Sequence, residues 1–257
     1  MSEMQQSPPS KPIARAAASL EGKTAVVVGG GTGIGRGVAE ALLAAGATVV
    51  VGGRRAEPLQ AIPNVDSRLW WHTVDVARPD SVHQFFNAAT QQFGNVDIVV
   101  NSAGLNVSPR TLLDTSVDDW DRLLAVNTTG AFHVIRAAVP PMIERRDGLV
   151  VTISSIAGLR ALELAGAGYC ASKFAVASLS TYAGLELADS GVRFTAIHPG
   201  EVETPILDQR PEPVSAERRA AMLQPEDVGA AVVMVASLPP RAQVMDLTIK
   251  PTVQRFA

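Results

Sequence analysis

The stretch that decides the fold is TAVVVGGGTGIG, residues 24–35. Its first five residues, Thr24–Val28, form a β-branched run that predicts a buried strand. The glycines that follow allow a tight turn and a close approach of the backbone to a pyrophosphate. A helical stretch begins at Gly33, and its N-terminus would supply amide donors and a partial positive charge. A strand, a glycine-rich turn and a helix in this order predict a dinucleotide-binding unit.

The rest of the chain alternates between short β-branched runs and longer stretches of helical periodicity. The strand candidates are Thr24–Val28, Thr48–Val51, Arg68–Val74, Asp97–Val100, Leu149–Ile153, Arg193–His198 and Val244–Ile249. The helix candidates are Gly33–Ala45, Ser81–Phe93, Val117–Met142, Tyr169–Ser190 and Pro225–Ala236. This alternation predicts an α/β fold of the Rossmann type: a doubly wound, mostly parallel seven-stranded sheet with helices on both faces.

The length of 257 residues favours one large domain. Residues 1–18 are rich in Ser, Pro and Gln and are predicted to be a flexible N-terminal tail. Residues 19–257 are predicted to form a single dinucleotide-binding and catalytic domain. Within it, residues 201–222 are rich in Pro, Glu and Arg and interrupt the alternation. We expect this insertion to be a substrate loop.

Composition argues against several classes of function. The net charge is -3, so nothing indicates a nucleic-acid-binding protein. The single cysteine excludes an intramolecular disulfide and favours a reducing compartment, which we take to be the cytoplasm. The four histidines are scattered and give no metal-ligand spacing, so no metal site is expected. No apolar run approaches the roughly 20 residues that span a bilayer, so no membrane association is expected.

The end of the second strand indicates which dinucleotide is bound. NAD sites usually place an acidic residue there to hold the ribose 2′-hydroxyl. Here Gly53 is followed by Arg54 and Arg55. Guanidinium groups suit a 2′-phosphate, to which they donate bidentate, charge-assisted hydrogen bonds. The sequence therefore favours NADP(H) over NAD(H).

A second short motif, Tyr169-x-x-x-Lys173, carries the chemistry. On a helix, residues four apart share a face, so Lys173 would lie beside Tyr169. An adjacent ammonium favours the phenolate and would lower the pKa of the tyrosine. A tyrosine tuned in this way can exchange a proton with an alcohol or a carbonyl. The motif is also common on exposed helices, so its meaning depends on the other motifs of the chain.

With these motifs, the chain resembles the compact, single-domain, NADP-preferring branch of the short-chain dehydrogenase/reductase family from about Leu20 to about Met234. The resemblance identifies a catalytic set of Asn127, Ser155, Tyr169 and Lys173, with Ser154 as a less favoured neighbour of Ser155. It implies hydride transfer between NADP(H) and a carbonyl or secondary alcohol, with Tyr169 as the general acid or base. Ser155 would bond the substrate oxygen, Lys173 would hold the nicotinamide ribose, and Asn127 would position a water that returns the proton through Lys173.

The resemblance also extends the set of cofactor residues. Asp75 and Val76 match the family's adenine contact, NSAG at 101–104 matches its Asn-Asn-Ala-Gly motif, and residues 199–204 match the segment that touches the nicotinamide. The predicted cofactor-binding residues are Gly29, Gly31, Thr32, Gly33, Ile34, Gly35, Arg54, Arg55, Asp75, Val76, Asn101, Ala103, Gly104, Tyr169, Lys173, Pro199, Gly200, Val202 and Thr204.

The substrate and the assembly are less closely defined. The expected pocket walls are Asn106–Arg110, Leu159–Ala165 and Glu201–Met222, which suit either an apolar ketone or a small acid. The resemblance implies a homotetramer, whereas the C-terminus lacks the family's Asp-Gly-Gly turn and leaves a dimer open. The alternatives are a non-catalytic NADP-binding regulator, a small hydroxy-acid or sugar dehydrogenase that works in the oxidative direction, and a sugar-nucleotide epimerase or dehydratase. The intact Ser, Tyr and Lys positions count against the regulator, and the short C-terminus counts against the epimerase.

Overall fold

All seven predicted strands form and pair in parallel into one sheet, which confirms the predicted fold class. The structure is a computed structural model that describes residues 19–64, 66–210 and 212–255, so the predicted tail lies outside the described residues. The strands are β1 (Thr24–Val28), β2 (Thr48–Gly53), β3 (Leu69–Thr73), β4 (Ile98–Asn101), β5 (Gly148–Ile153), β6 (Val192–Pro199) and β7 (Asp246–Ile249). Their order across the sheet is β3-β2-β1-β4-β5-β6-β7.

Helices cover both faces of this sheet. They are α1 (Gly33–Ala44), α2 (Ala56–Gln60), α3 (Pro79–Phe93), α4 (Val117–Leu123), α5 (Gly130–Arg145), α6 (Ala167–Glu186), α7 (Ala216–Ala220) and α8 (Pro225–Ala236). The sequence patterns did not indicate α2 or α7, because each has only five residues and shows too little periodicity.

The strand pattern explains why helices are needed on both sides. Successive side chains of a strand point to opposite faces of the sheet. Accordingly, Val26 and Val28 of β1 belong to the hydrophobic cluster under α3 and α5, whereas Ala25 and Val27 belong to the cluster under α1 and α8. Both clusters are closed to solvent, which holds the carboxyl ends of the strands in fixed positions.

The predicted helical stretch Val117–Met142 is helical throughout, but it is not one regular α-helix. The chain stays helical from α4 to α5, but the turn Leu124–Thr129 between them is wider and has π-helical hydrogen bonding. This wide turn contains Asn127, whose buried side chain bonds the Leu105 backbone on a neighbouring segment. Turns of this kind occur often at functional sites.

The strand order positions a crevice. β1 pairs with β2 on one side and with β4 on the other, so the chain changes direction across the sheet between them. Ligands of open α/β sheets bind beyond the carboxyl ends of the strands at such a point. No helix within the described ranges is long and apolar enough to cross a membrane.

Candidate active site

A cavity of about 430 Å³ lies beyond the carboxyl ends of the strands. Residues that directly follow β2 and β4 contribute to its wall, as do the start of α1 and the last residues of β5 and β6. Twelve of the predicted cofactor residues line it: Thr32, Gly33, Ile34, Arg54, Arg55, Gly104, Tyr169, Lys173, Pro199, Gly200, Val202 and Thr204. Three of the four predicted catalytic residues, Ser155, Tyr169 and Lys173, are also in the wall.

Ser155 and Tyr169 meet at this cavity. Ser155 follows β5 in an extended conformation, and its hydroxyl accepts a hydrogen bond from the Ala157 amide at 3.1 Å. Its side chain also interacts with that of Tyr169, which lies in the first turn of α6, and this interaction lowers the pKa of the phenol. The two hydroxyl groups are therefore held together by a strand end and a helix that both pack in the core.

The neighbouring serine has a different task. The hydroxyl of Ser154 is buried and donates to the Lys173 carbonyl at 3.0 Å, which ties β5 to α6. Gly158 lies in the same contact, because a Cβ there would come within 2.5 Å of that carbonyl oxygen. The geometry therefore favours Ser155 over Ser154 as the hydroxyl that is available to a substrate.

The pKa of Tyr169 departs from the sequence-based expectation. Burial raises it to about 12, although the hydrogen bond with Ser155 and the charge of Arg110 lower it. The expectation that an adjacent ammonium brings this pKa below its usual value is therefore wrong for the protein without a ligand. The reason is that the phenol is enclosed by protein, which disfavours the phenolate more than the nearby groups stabilise it.

Lys173 lies one turn further along α6, as its spacing predicts. Its Nζ is 5.6 Å from the centre of the Tyr169 ring and donates to the Ile153 carbonyl at 3.0 Å. Burial lowers the pKa of this amine to about 8. The ammonium therefore lies over the face of the ring and is itself destabilised, so its influence on the phenol oxygen is small.

Asn127 is buried behind the cavity and does not line it. Its Oδ1 accepts from the Leu105 amide at 2.9 Å, and its Nδ2 donates to the Leu105 carbonyl at 3.0 Å and to the Ser172 hydroxyl at 2.9 Å. A Cβ at Gly104 would lie 3.4 Å from Lys173 Nζ and 3.5 Å from Asn127 Oδ1. The absence of a side chain at Gly104 thus keeps a small space between these two polar atoms.

The glycine-rich turn has the geometry that a diphosphate needs. Gly29 has a φ of +80°, and a Cβ there would lie 2.6 Å from the Ala103 amide, so only glycine fits. Thr32, which precedes α1, makes no side-chain capping bond, and the first turn of α1 contains no acidic residue. The amide groups at this helix end therefore remain available to an anion at the cavity wall.

Arg54 and Arg55 lie at the far end of the cavity, in the segment between β2 and α2. Both are exposed, and neither forms an ion pair with a carboxylate of the described chain. No acidic residue occupies the end of β2 or the three positions that follow it. The residues present therefore fit a nicotinamide dinucleotide, and two exposed guanidinium groups follow the end of β2 at the cavity.

The other predicted cofactor residues are not part of the cavity wall: Gly29, Gly31, Gly35, Asp75, Val76, Asn101 and Ala103. Asp75 Oδ1 accepts from the Ala77 amide at 3.1 Å, and Asn101 Oδ1 accepts from the Ala103 amide at 3.2 Å. These two side chains shape the turns that follow β3 and β4. Their predicted contacts with a cofactor stay predictions.

The match to a family model decides the classification. Residues 23–214 match the model described as short chain dehydrogenase, and this range contains the glycine-rich turn, Ser155, Tyr169 and Lys173. The chain belongs to the short-chain dehydrogenase family.

Curated relatives of this short-chain dehydrogenase cover most of its length. It is 36% identical over 234 residues to an uncharacterized oxidoreductase of Staphylococcus aureus. The alignment covers 90% of this chain and 98% of the relative. It is 40% identical over 221 residues to a 3-alpha-(or 20-beta)-hydroxysteroid dehydrogenase of Mycobacterium bovis, with 85% and 84% of the two chains covered.

Solved structures of similar dehydrogenases carry both types of nicotinamide cofactor. An alcohol dehydrogenase of Thermococcus sibiricus complexed with 5-hydroxy-NADP matches with a TM-score of 0.82 and 27% identity, covering 91% of this chain and 99% of that one. A serine dehydrogenase complexed with NADP+ matches with 0.82 and 28%, covering 91% and 97%. A 3-ketoacyl-(acyl-carrier-protein) reductase of Brucella melitensis complexed with NADH matches with 0.83 and 26%, covering 91% and 99%.

Sequence reasoning missed or undervalued several wall residues of this short-chain dehydrogenase. Gln254 lines the cavity, and its Oε1 accepts from the Glu201 amide at 3.0 Å, so the atypical C-terminus reaches the pocket. Arg110 was included only as the end of a wall segment, yet it is buried in the cavity wall. Arg160 and Glu163, by contrast, were expected in this wall and are exposed outside it.

Proposed function

We propose that this chain is an NADP(H)-dependent oxidoreductase that transfers a hydride between the cofactor and a carbonyl or secondary alcohol. The observation that carries the proposal is the placement of Ser155, Tyr169 and Lys173 together in the wall of one cavity. Membership of the short-chain dehydrogenase family and the oxidoreductase names of the relatives support it.

The proton is the part of the reaction that this chain's own residues handle. With a pKa of about 12, Tyr169 keeps its proton at neutral pH and is ready to donate it to a carbonyl oxygen. The Ser155 hydroxyl, held beside it, would bond the same oxygen and stabilise the developing alkoxide. A bound nicotinamide would supply the hydride, and the protein's contribution is placement and charge.

Lys173 and Asn127 would complete the proton path. The Lys173 ammonium would hold the hydroxyl groups of the nicotinamide ribose and return a proton to Tyr169. A water in the space that Gly104 leaves open, near Lys173 Nζ and Asn127 Oδ1, would link this amine to solvent. Oδ1 has a second lone pair beyond the one that it uses for Leu105, so it can accept from such a water.

The preference for NADP(H) rests on Arg54 and Arg55. Both guanidinium groups are exposed at the cavity and have no carboxylate partner within the described ranges, so a 2′-phosphate would meet two available cations. The similar structures with NADP ligands support a nicotinamide cofactor. Because another similar structure contains NADH, experiment must decide between NADP(H) and NAD(H).

The test is the oxidation of NADPH and of NADH, followed by the loss of their near-ultraviolet absorbance, against a panel of ketones, aldehydes, keto acids and sugars. Reduction of at least one carbonyl class with NADPH preferred supports the proposal. Tight NADPH binding with no turnover of any carbonyl, and no NADP+ reduction with the matching alcohols, would instead indicate a non-catalytic regulator.

Assembly and location are also proposed. A homotetramer is supported by apolar side chains that α5 and α6 leave exposed, including Phe132, Phe174 and Leu185. A cytoplasmic location is supported by the single cysteine, Cys170, which excludes an internal disulfide. The segment 201–222 is proposed as the substrate loop, since residues from Glu201 to Arg210 lie in the cavity wall.

A further inference from the structure

Arg110 is a buried cation of the cavity wall that has no counter-ion among the described residues. Only 8% of its surface is exposed, and it lines the same cavity as Tyr169. Its charge lowers the pKa of the Tyr169 phenol, the proposed proton donor. Within the described part of the chain, no carboxylate forms an ion pair with it. Buried charges are normally paired, because an unpaired one loses its hydration without compensation.

The surroundings of Arg110 add further positive charge and provide no counter-ion for it. Arg210 also lines the cavity, and burial together with the charge of Arg210 lowers the pKa of Arg110. Arg210 itself is paired, because its Nη2 lies 2.9 Å from Glu201 Oε1. Arg218 reaches the same carboxylate oxygen at 2.9 Å. Among the described residues of the cavity wall, Glu201 is the one acidic side chain, and because two arginines already share it, none is left for Arg110.

Two backbone carbonyls fix the guanidinium in place. Nη1 donates to the Leu164 carbonyl at 3.2 Å, and Nη2 donates to the Gln209 carbonyl. Both acceptors belong to residues of the cavity wall. A guanidinium has five N–H groups, two of them on each terminal nitrogen, so one donor on each of Nη1 and Nη2 remains after these bonds. Nε is buried and has no hydrogen-bond partner in the described chain.

We propose that Arg110 binds a carboxylate group of the substrate. The substrate class is then a keto acid, or the corresponding hydroxy acid in the reverse direction. This inference rests on the proposed oxidoreductase function and narrows its substrate. A carboxylate would neutralise the buried charge and accept from the two remaining terminal donors, in the bidentate geometry that arginine favours.

The donors of Arg110 favour a carboxylate over a phosphate. Its guanidinium carries one positive charge and keeps one free donor on each terminal nitrogen, which match the single charge and the two oxygens of a carboxylate, whereas a phosphate monoester carries nearly two negative charges at neutral pH. The cavity wall also contains apolar side chains that would take an aliphatic chain: Ile156, Leu162, Leu164, Ile206 and Leu207. A wholly apolar ketone would fill this space and leave the guanidinium unpaired.

The test compares each acid with its own methyl ester. The wild-type protein is assayed with NADPH against short aliphatic 2-oxo and 3-oxo acids, against their methyl esters, and against dihydroxyacetone phosphate. We expect kcat/KM to be roughly 10- to 100-fold higher for the best acid than for its ester, the range of a hydrogen bond to a charged group. Arg110→Met should remove most of this ratio, and Arg110→Lys should restore part of it.

The ratio separates anion binding from general damage to the site. Any effect of Arg110 on Tyr169 changes acid and ester rates alike and cancels in the ratio. Arg122→Met is the control, because Arg122 is 55% exposed on α4, outside the cavity wall, and should keep the wild-type ratio. Thermal unfolding and NADPH binding of Arg110→Met check that this variant is folded. If Arg110→Met is not folded, the acid-to-ester ratio of the wild type alone tests the inference.

The inference is overturned if the wild type reduces esters as well as acids, if folded Arg110→Met keeps the wild-type ratio, or if the phosphorylated ketone is the preferred substrate. In each of these cases carbonyl reduction remains and the proposed function survives. If no carbonyl is reduced, the proposed function fails, and ligand-observed NMR on the NADP-loaded protein decides the inference. Butyrate should then bind in preference to methyl butyrate, and Arg110→Met should abolish that preference; equal binding of the two overturns it.

Discussion

The Nζ atom of Lys173 lies over the face of the Tyr169 ring, 5.6 Å from its centre, and donates to the Ile153 carbonyl. The two residues are thus adjacent, as a spacing of four on α6 predicts. Burial, however, shifts both groups toward their neutral forms: it lowers the pKa of Lys173 to about 8 and raises the pKa of Tyr169 to about 12. At neutral pH the tyrosine is uncharged in both the folded and the unfolded state, so it is the buried ammonium of Lys173 that disfavours the ligand-free fold. Such costs are common at functional sites.

The first prediction concerns stability against pH. Lys173 has a pKa of 10.5 in the unfolded chain and of about 8 in the folded protein, so the unfolded state binds more protons between these values. At neutral pH the buried ammonium of Lys173 should lower the free energy of unfolding by roughly 3 kcal/mol. This cost should disappear as the pH rises from about 8 to 10.5, so the free energy of unfolding should increase over that range. Lys173→Met should stabilise the protein by about 2 kcal/mol at pH 7, since the lost bond to Ile153 offsets about 1 kcal/mol.

Urea denaturation at pH 7, 9 and 10.5 measures this effect. The gain from Lys173→Met should shrink as the pH rises. Lys23→Met is the control, because the Lys23 side chain is 44% exposed and paired with Asp97, and its loss should give no gain at pH 7. A gain from Lys173→Met that stays constant over this range would contradict the buried charge as its cause.

The second prediction assigns the proton. Tyr169→Phe removes the hydroxyl that Ser155 bonds and should lower kcat for carbonyl reduction by about 10²- to 10⁴-fold, the usual contribution of a general acid. NADPH binding, measured by fluorescence titration, should remain nearly intact. The other tyrosine supplies a matched control: Tyr182 lies on the same helix and is 61% exposed, so Tyr182→Phe should keep the wild-type rate. Near-normal turnover of Tyr169→Phe would exclude it as the proton donor.

The third prediction concerns the choice of cofactor. Arg54→Ala removes one of the two exposed guanidinium groups at the end of β2 and should weaken NADPH binding by roughly 10- to 100-fold, as for one charge-assisted hydrogen bond. NADH has no 2′-phosphate, so its binding should change by much less. Arg78→Ala, at an exposed arginine before α3 and outside the cavity wall, should affect neither. Equal weakening of NADPH and NADH by Arg54→Ala would rule out a 2′-phosphate contact.

Much of the fold and part of the site could be predicted from the sequence because their causes are local. The runs Thr24–Val28 and Leu149–Ile153 are each apolar except for one threonine, as expected of strands covered on both faces. The glycines before α1 mark a turn that needs positive φ and close backbone contact. Tyr169 and Lys173 lie one helical turn apart, and that spacing is enough to bring them together.

The remaining features depend on contacts between distant parts of the chain. Arg110 is held by carbonyl groups 54 and 99 residues away, and Gln254 contacts a residue 53 positions away. His198 is fully buried between the Ser155 carbonyl and the Asp246 carboxylate, at 3.2 and 3.0 Å, which no local pattern indicates. The pKa of Tyr169 likewise depends on its burial, which the motif does not reveal. The sequence therefore predicted the correct residue but the wrong direction of its pKa shift.

The fourth prediction concerns assembly. On α6, Phe174, Tyr182 and Leu185 are 43%, 61% and 65% exposed, and spacings of eight and three residues place them along one face of the helix. Exposed apolar side chains in a row on a long helix indicate an interface.

Light scattering coupled to gel filtration should therefore give the mass of a homotetramer for the wild type. Leu185→Glu should shift the protein to a smaller species, because a carboxylate would be buried unpaired in the interface. Leu113→Glu, at a side chain that is 93% exposed outside the helices, controls for added charge and should leave the mass unchanged. A monomeric wild type, or a Leu185→Glu variant of unchanged mass, would contradict this assignment of the α6 face.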